Sequence, residues 1–111
     1  MRKAFLALLT NKGWFFVKRE QIMYCLSNGA YTQIHLAQGH SIIVSKNLKT
    51  VASTFEKDER FVRIHNSHLI NLDYAVYFKN SNCNYVKMKN GEELAISRNR
   101  KKVFFEAFER V

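Results

Sequence analysis

The chain has 111 residues, of which 47% are apolar and 14% aromatic, so it is long enough for one hydrophobic core and too short for two ordinary domains. No apolar run approaches the roughly 18 residues of a membrane-spanning helix. The charged fraction of 24% is ordinary for a soluble protein, which excludes a disordered tail. A net charge of +9 favours nucleic acid as the partner, and we expect one domain over residues 1–111.

The N-terminus and the two cysteines indicate a cytoplasmic protein. A basic start followed by a short apolar stretch superficially resembles a signal peptide, but Thr10, Asn11 and Lys12 follow and no small-x-small cleavage site is present. Cys25 and Cys83 lie far apart and form no C-x-x-C pair, so neither a disulfide framework nor a Cys-ligated zinc is indicated. These features fit a reducing compartment.

Short segments rich in β-branched and aromatic residues predict about nine strands. The first five span residues 4–9, 14–18, 22–27, 31–36 and 40–44. Polar glycine turns separate most of them, so they predict a five-strand meander. Further strands are predicted over 61–64, 75–80, 85–89 and 93–96, with a turn at Asn80-Ser81-Asn82.

Two segments have helical rather than strand periodicity. The first has an apolar face made of Leu48, Val51, Ala52 and Phe55. Because Ser45 precedes this segment, it is the expected N-cap of a short amphipathic helix. The second segment begins behind Ser97 and predicts a C-terminal helix whose apolar face is Val103, Phe104, Ala107, Phe108 and Val111.

The apolar periodicity also predicts a core. Its expected members are Phe5, Leu8, Phe16, Val17, Ile22, Leu26, Ile34, Ile42, Val44, Leu48, Phe55, Val62, Leu69, Ile70, Val76, Val86, Leu94, Ile96, Phe104 and Phe108. Neighbours in a strand or helix cannot share a face, so the runs Trp14-Phe15-Phe16 and Phe104-Phe105 each expose at least one ring. An exposed ring of this kind is a candidate dimer or interdomain contact.

Catalytic and metal sites have no positive signal. His65 and His68 could supply two metal ligands from one turn, and His35 and His40 flank a predicted hairpin turn. No H-E-x-x-H motif or cysteine pair accompanies them, so ordinary polar surface is the preferred interpretation and no cofactor is indicated. A small Cys-His hydrolase would require Cys25 to lie near a histidine, and we do not expect an enzyme.

A dense basic cluster opens the predicted last helix, where four cations fall within Arg98-Asn99-Arg100-Lys101-Lys102. Cations oppose the dipole at a helix N-terminus, whereas a bound phosphate would satisfy both the free N–H groups and the side-chain charges. The cluster is therefore either a clamp for a phosphate backbone or a solvated charged face.

Several distinctive motifs occur along the chain, and the central one is FVRIHNSHLINL from Phe61 to Leu72. The others, in chain order, are residues 22–24 followed by NGAYT at 28–32, SKNLK at 45–49, NG at 90–91 and AISRNRKK at 95–102. Together these motifs resemble the LytTR DNA-binding domain, the output module of LytR/AlgR-type bacterial response regulators. They span roughly residues 4 to 110 in the order expected of the family.

This resemblance implies a mostly β fold of elongated, antiparallel sheets with one short internal helix and a C-terminal helix, which reads duplex DNA through loops. Matched to this chain, the base contacts are Tyr31, Asn66 and Arg98. Arg98 can bond guanine and Asn66 can bond adenine in the major groove. Tyr31 departs from the nitrogen-bearing side chain of some members, so packing on the sugar-phosphate chain or on a thymine methyl is the alternative.

Each base-contact residue also has a purely structural interpretation. Asn66 could cap the turn at Ser67, Arg98 could be an exposed first-turn residue, and Tyr31 could be a strand aromatic. Candidate phosphate contacts, which position a protein without specifying sequence, are Lys46, Asn47, His65, Ser67, Arg100, Lys101 and Lys102. Arg63 alternates with Val62 and Ile64 and could line the same surface.

The expected function is therefore sequence-specific double-stranded DNA binding in transcription regulation. The chain would be the output module of a two-component-type response regulator or a stand-alone bacterial regulator. Expected partners are duplex DNA with repeated half-sites, a second copy on that DNA and a receiver domain absent from this chain, with no membrane partner. The alternative is a single-stranded nucleic-acid or RNA-binding module that uses exposed aromatic rings as stacking platforms.

Overall fold

A computed structural model describes residues 3–80 and 82–111 of the chain. Met1 and Arg2, where the signal-like segment starts, and Ser81 of the predicted turn lie outside the described residues. The strands are β1 (Phe5–Thr10), β2 (Gly13–Lys18), β3 (Ile22–Asn28), β4 (Tyr31–Leu36), β5 (Ser41–Val44), β6 (Phe61–His65), β7 (His68–Asn71), β8 (Ala75–Lys79), β9 (Tyr85–Met88) and β10 (Glu93–Ala95). The α-helices are α1 (Leu48–Thr54) and α2 (Lys101–Glu106), and 3-10 helices span Arg19–Gln21, Leu72–Tyr74 and Arg98–Arg100.

The strands form three antiparallel sheets. A five-stranded sheet has the order β5-β4-β3-β7-β6, a three-stranded sheet has the order β10-β9-β8, and β1 pairs with β2 alone. The molecule measures 42 × 30 × 24 Å along its principal axes. The expected fold class, elongated and mostly β with two short helices, is confirmed.

The predicted five-strand meander was wrong, because β3 takes β7 rather than β2 as its second neighbour. β7 was also missing from the predicted strands. Its residues Leu69, Ile70 and Asn71 are buried in succession, so they lack the polar-apolar alternation that marks a half-exposed strand. The 3-10 helix Arg19–Gln21 separates β2 from β3 and leaves the β1–β2 hairpin as a sheet of its own.

The five-stranded sheet separates two hydrophobic clusters, which explains why β3 buries four consecutive residues from Ile22 to Cys25. On one face, Ile22, Cys25 and Ile34 pack in a cluster with residues of the hairpin and α1. On the other face, Met23, Tyr24 and Ile70 pack in a cluster with residues of the three-stranded sheet and α2. Burying each of the larger side chains stabilises the fold by about 1.5–3 kcal/mol.

Four predicted core residues are in fact exposed. Phe5 is 63% exposed, Phe16 73%, Val76 59% and Phe108 42%. The hairpin buries only its inner face, where Leu6 and Val17 are paired, so Phe5 and Phe16 point outward. Core residues that the prediction missed are Met23, Tyr24, Cys25, Leu36, Val51, Phe61, Ile64 and Met88.

The helices also differ from the prediction in detail. The N-cap of α1 is Asn47 instead of Ser45, because the Asn47 Oδ1 accepts a 2.9 Å bond from the Thr50 backbone N–H. α2 ends at Glu106, so the predicted apolar face does not continue through Phe108. None of the helices in the described ranges has the length and apolar character needed to cross a bilayer.

Candidate nucleic-acid interface

Sheet register brings three connections to one end of the five-stranded sheet. Asn28 pairs with Tyr31 across the β3–β4 turn. The Ser27 backbone N–H donates a 2.9 Å bond to the Ser67 carbonyl, which fixes the β6–β7 turn beside the β3–β4 turn. The buried Thr32 hydroxyl donates a 2.8 Å bond to the Lys46 carbonyl, which fixes the β5–α1 segment at the same end.

The segment before α2 joins this end through the edge strand β6. The Ser97 N–H donates a 2.8 Å bond to the Ile64 carbonyl. Arg100 then reaches the β6–β7 turn, with its Nη2 atom 3.5 Å from the Asn66 Oδ1. We call this end of the sheet the basic end. It carries Tyr31, Lys46, Asn47, His65, Asn66, Ser67, Arg98, Arg100, Lys101 and Lys102, all ten residues predicted from the sequence.

The three predicted base-contact residues are all solvent-accessible. Tyr31 is 52% exposed at the first position of β4, and Asn66 and Arg98 are exposed in their turns. The structure does not support Asn66 as the cap of its own turn, because the Ser67 N–H donates to the His65 Nδ1 at 3.0 Å. Within residues 3–80 and 82–111, the guanidinium of Arg98 forms no salt bridge.

Arg63 supports the β6–β7 turn from within the fold. Its Nε donates to the His65 carbonyl at 3.1 Å, and its Nη2 donates to the Asn66 carbonyl at 2.6 Å. Burial lowers the pKa of Arg63, and the neighbouring charge of Arg100 lowers it further. The sequence pattern placed Arg63 near this surface, but only the structure shows that it holds two successive carbonyls of the turn.

Two stacked imidazoles fasten the same turn to the three-stranded sheet. The rings of His65 and His68 lie 4.6 Å apart, and the His68 Nδ1 is 2.8 Å from the Ala95 carbonyl. Burial lowers the pKa of His68, the bond to Ala95 opposes that shift, and the charge of His65 adds to it. No group of three metal-ligating side chains occurs in the described part of the chain.

Besides His65 and Arg100, two more of the candidate phosphate contacts have internal partners. The ammonium of Lys101 lies 5.4 Å from the centroid of the Phe78 ring, and the Asn47 Oδ1 caps α1. Lys46 and Lys102 are exposed. The basic end therefore combines turns held by hydrogen bonds with charged side chains that point into solvent, which suits the backbone of a polyanion.

The environment of Cys25 does not favour the hydrolase alternative. Cys25 is fully buried, and burial raises the pKa of its thiol to about 12. The attacking species of a cysteine enzyme is the thiolate, which this environment suppresses at neutral pH.

Comparisons with known proteins identify the family of the chain. Comparison with curated protein sequences gives no significant match. Among solved structures, the chain is similar to the LytTr DNA-binding domain of a protein assigned as a methyl-accepting/DNA response regulator from Bacillus cereus. The two share 21% identity with a TM-score of 0.76, over 95% of this chain and 96% of that chain, which shows a common fold. The family model of the LytTr DNA-binding domain matches residues 12–109, and the chain therefore belongs to that family.

Proposed function

We propose that this DNA-binding domain recognises specific duplex sequences by inserting the turns of the basic end into the major groove, and that it thereby regulates transcription. The observation that carries the proposal is the convergence of Tyr31, Asn66 and Arg98, from three separate connections, on one end of a sheet. Hydrogen bonds within the fold hold these connections, so little ordering is required when DNA binds.

Arg98 and Asn66 are assigned the sequence-reading roles. An arginine fork donates two parallel bonds to guanine O6 and N7, and an asparagine amide matches adenine N6 and N7. Arg100 links the segment before α2 to the β6–β7 turn, because its Nη2 atom lies 3.5 Å from the Asn66 Oδ1. We therefore assign Arg98 and Asn66 to neighbouring base pairs of one site.

Tyr31 is assigned a packing role at the groove edge. Its ring is half-exposed at the β3–β4 turn, and it carries no bidentate pair of donor and acceptor. A thymine methyl or the sugar-phosphate chain is the matching surface.

The remaining basic-end residues are assigned to phosphates. Lys46, Arg100 and Lys102 supply charge, and the His65, Ser67 and Asn47 side chains supply short polar groups. Lys101 contributes less in this role, because its ammonium already lies over the Phe78 ring. Such contacts set the position of the protein on DNA without reading the bases.

In the cell, we assign the chain to the cytoplasm, as a single domain over residues 1–111. It acts as the output module of a two-component-type response regulator, coupled to a receiver domain, or as a stand-alone regulator. Two copies bind repeated half-sites spaced by about one helical turn or more.

The test is selection of binding sites from a random duplex library by the purified chain. We expect enrichment of a repeated half-site, with the spacing of the two copies read from the same data. Recovery of random sequences after several rounds would contradict sequence-specific recognition.

A competing function is single-stranded nucleic-acid binding. The outer face of the β1–β2 hairpin favours it, because Phe5, Trp14 and Phe16 are 59–73% exposed there and could stack on bases. Competition between the selected duplex and its separated strands discriminates the two. Our proposal requires the duplex to compete much better, and equal competition by the single strands would favour the alternative.

A further inference from the structure

The β1–β2 hairpin runs along the five-stranded sheet toward the basic end. At its base, the Arg19 N–H bonds the Ala4 carbonyl at 3.3 Å, and the Arg19 Nη1 bonds the Thr54 carbonyl at the C-terminus of α1. Near its tip, the Ser45 N–H donates a 3.1 Å bond to the Leu9 carbonyl. The turn after Leu9 therefore lies level with the β5–α1 segment that carries Lys46.

This turn is fixed by its own side chain. The Thr10 hydroxyl donates a 2.8 Å bond to the Gly13 carbonyl and accepts a 3.1 Å bond from the Lys12 N–H. Gly13 has φ of +129°, a backbone conformation that other residues rarely adopt. Asn11 and Lys12 are consequently held at the tip, and both are exposed.

The electrostatic setting of the hairpin is uniformly basic. No acidic residue occurs between Lys3 and Arg19. The ammonium of Lys18 lies 5.5 Å from the Phe5 ring centroid near the hairpin base. In the described ranges, Lys12 forms neither a salt bridge nor a cation–π contact, so its charge is open to an external anion.

We propose that Lys12 contacts a phosphate of the bound duplex, which makes the hairpin tip a further DNA-contacting connection beside the basic end. The inference rests on the proposed function, because it uses the same duplex held by Arg98 and Asn66. Its occupant is the DNA backbone, since the held turn presents the exposed Lys12, whose ammonium is a point charge that suits a phosphate. A phosphate contact at this site would strengthen binding to all sequences alike.

The experiment measures affinity for a random-sequence duplex of about 30 base pairs over a range of salt concentrations. Lys12→Ala removes the charge, and Lys12→Arg retains it. The control is Lys57→Ala, an exposed lysine that follows α1 near the hairpin base. Thermal melts of each variant verify folding.

For Lys12→Ala we expect an affinity loss of about two- to five-fold, the size of one exposed ion pair. The slope of log affinity against log salt should become less negative by about 0.9, the value for one lost phosphate contact. Lys12→Arg and Lys57→Ala should keep the wild-type slope.

If Lys12→Ala matches Lys57→Ala in slope and affinity, the tip proposal is overturned. The proposed function then still stands, provided that Arg98→Lys loses affinity for a selected site. If the wild-type chain shows no affinity for duplex DNA, both proposals fail together, so the two failures are distinguishable.

Discussion

The two ends of the five-stranded sheet use arginine in opposite ways. At the end away from the basic end, Arg60 donates to both carboxylate oxygens of the buried Asp58, at 3.1 and 2.9 Å. Asp73 and Glu20 lie 3.7 and 4.0 Å from the same guanidinium. We call these four residues the paired end, where the hydrogen bond that Arg60 donates to Asp58 raises the pKa of Arg60.

At the basic end, the arginines face carbonyls and each other. Arg63 bonds two backbone carbonyls, and the charge of Arg100 lowers its pKa. No salt bridge in the described part of the chain includes Arg63, Arg98 or Arg100. The comparison teaches that carboxylates neutralise the charge of Arg60 inside the fold. The arginines at the end proposed to meet DNA bond carbonyls and side-chain amides instead.

The largest effect that follows concerns salt. With roughly four to six phosphates neutralised at the basic end, log affinity should fall against log salt with a slope of about −4 to −5. Affinity should therefore drop about 250- to 1,000-fold between 50 and 200 mM salt. Fluorescence anisotropy titrations measure this slope. A slope near zero would show that the charges of the basic end do not contact DNA phosphates, which would contradict the difference drawn between the two ends.

The second prediction tests the paired end. Arg60→Met keeps an unbranched apolar stem beside Phe61 but removes the bidentate bond to Asp58. We expect the free energy of unfolding to fall by about 2 kcal/mol, the scale of hydrogen bonds to charged groups. Urea denaturation measures the loss. Duplex affinity below the unfolding transition should stay at the wild-type value, and a large affinity loss in folded protein would contradict the division between the two ends.

The third prediction separates two adjacent lysines. Lys102→Ala should weaken specific and random duplexes alike, by about two- to five-fold. Lys101→Ala should weaken DNA binding less and lower the melting temperature more, because Lys101 packs over Phe78. Parallel titrations and melts of both variants compare them directly. A loss confined to one DNA sequence would argue against phosphate contacts.

The smallest predicted effect concerns pH. Burial lowers the pKa values of His68 and His35 below the ordinary 6.5. The unfolded chain therefore binds protons before the folded chain does, and stability present above about pH 6.5 is lost as pH falls toward the folded pKa values. The melting temperature should decline as the pH is lowered from about 7.5 to 5. The melting temperature of His68→Gln should decline less steeply over the same range. His40→Gln, in the exposed β4–β5 turn, is the control and should follow the wild type.

Local patterns in the sequence predicted much of the secondary structure. β4 runs from Tyr31 to Leu36 as expected, and its flanking turns contain the predicted glycines Gly29 and Gly39. Local patterns could not predict which strands lie next to each other in a sheet. β7 and β3 are buried on both faces, so their apolar runs do not alternate, and the exposed face of the hairpin is as aromatic as a core face.

The candidate site could be predicted only as separate segments. The motif resemblance selected Tyr31, Asn66 and Arg98, which lie far apart in the sequence. Their common location depends on long-range bonds such as Ser27 to Ser67 and Thr32 to Lys46, which no local pattern encodes. The support of the β6–β7 turn by Arg63 could not be predicted for a different reason, because its partners are nearby backbone carbonyls, which leave no residue-type signal in the sequence.

The most direct test of the account compares Arg98→Lys and Asn66→Ala on a selected site and on a scrambled duplex. Arg98→Lys keeps the charge and loses the planar fork. Each variant should lose about 1–3 kcal/mol of binding free energy on the selected site and much less on the scrambled duplex, with a nearly unchanged melting temperature. Equal losses on both duplexes would show that these residues contact only the DNA backbone, and a collapsed melt would show that their role is structural.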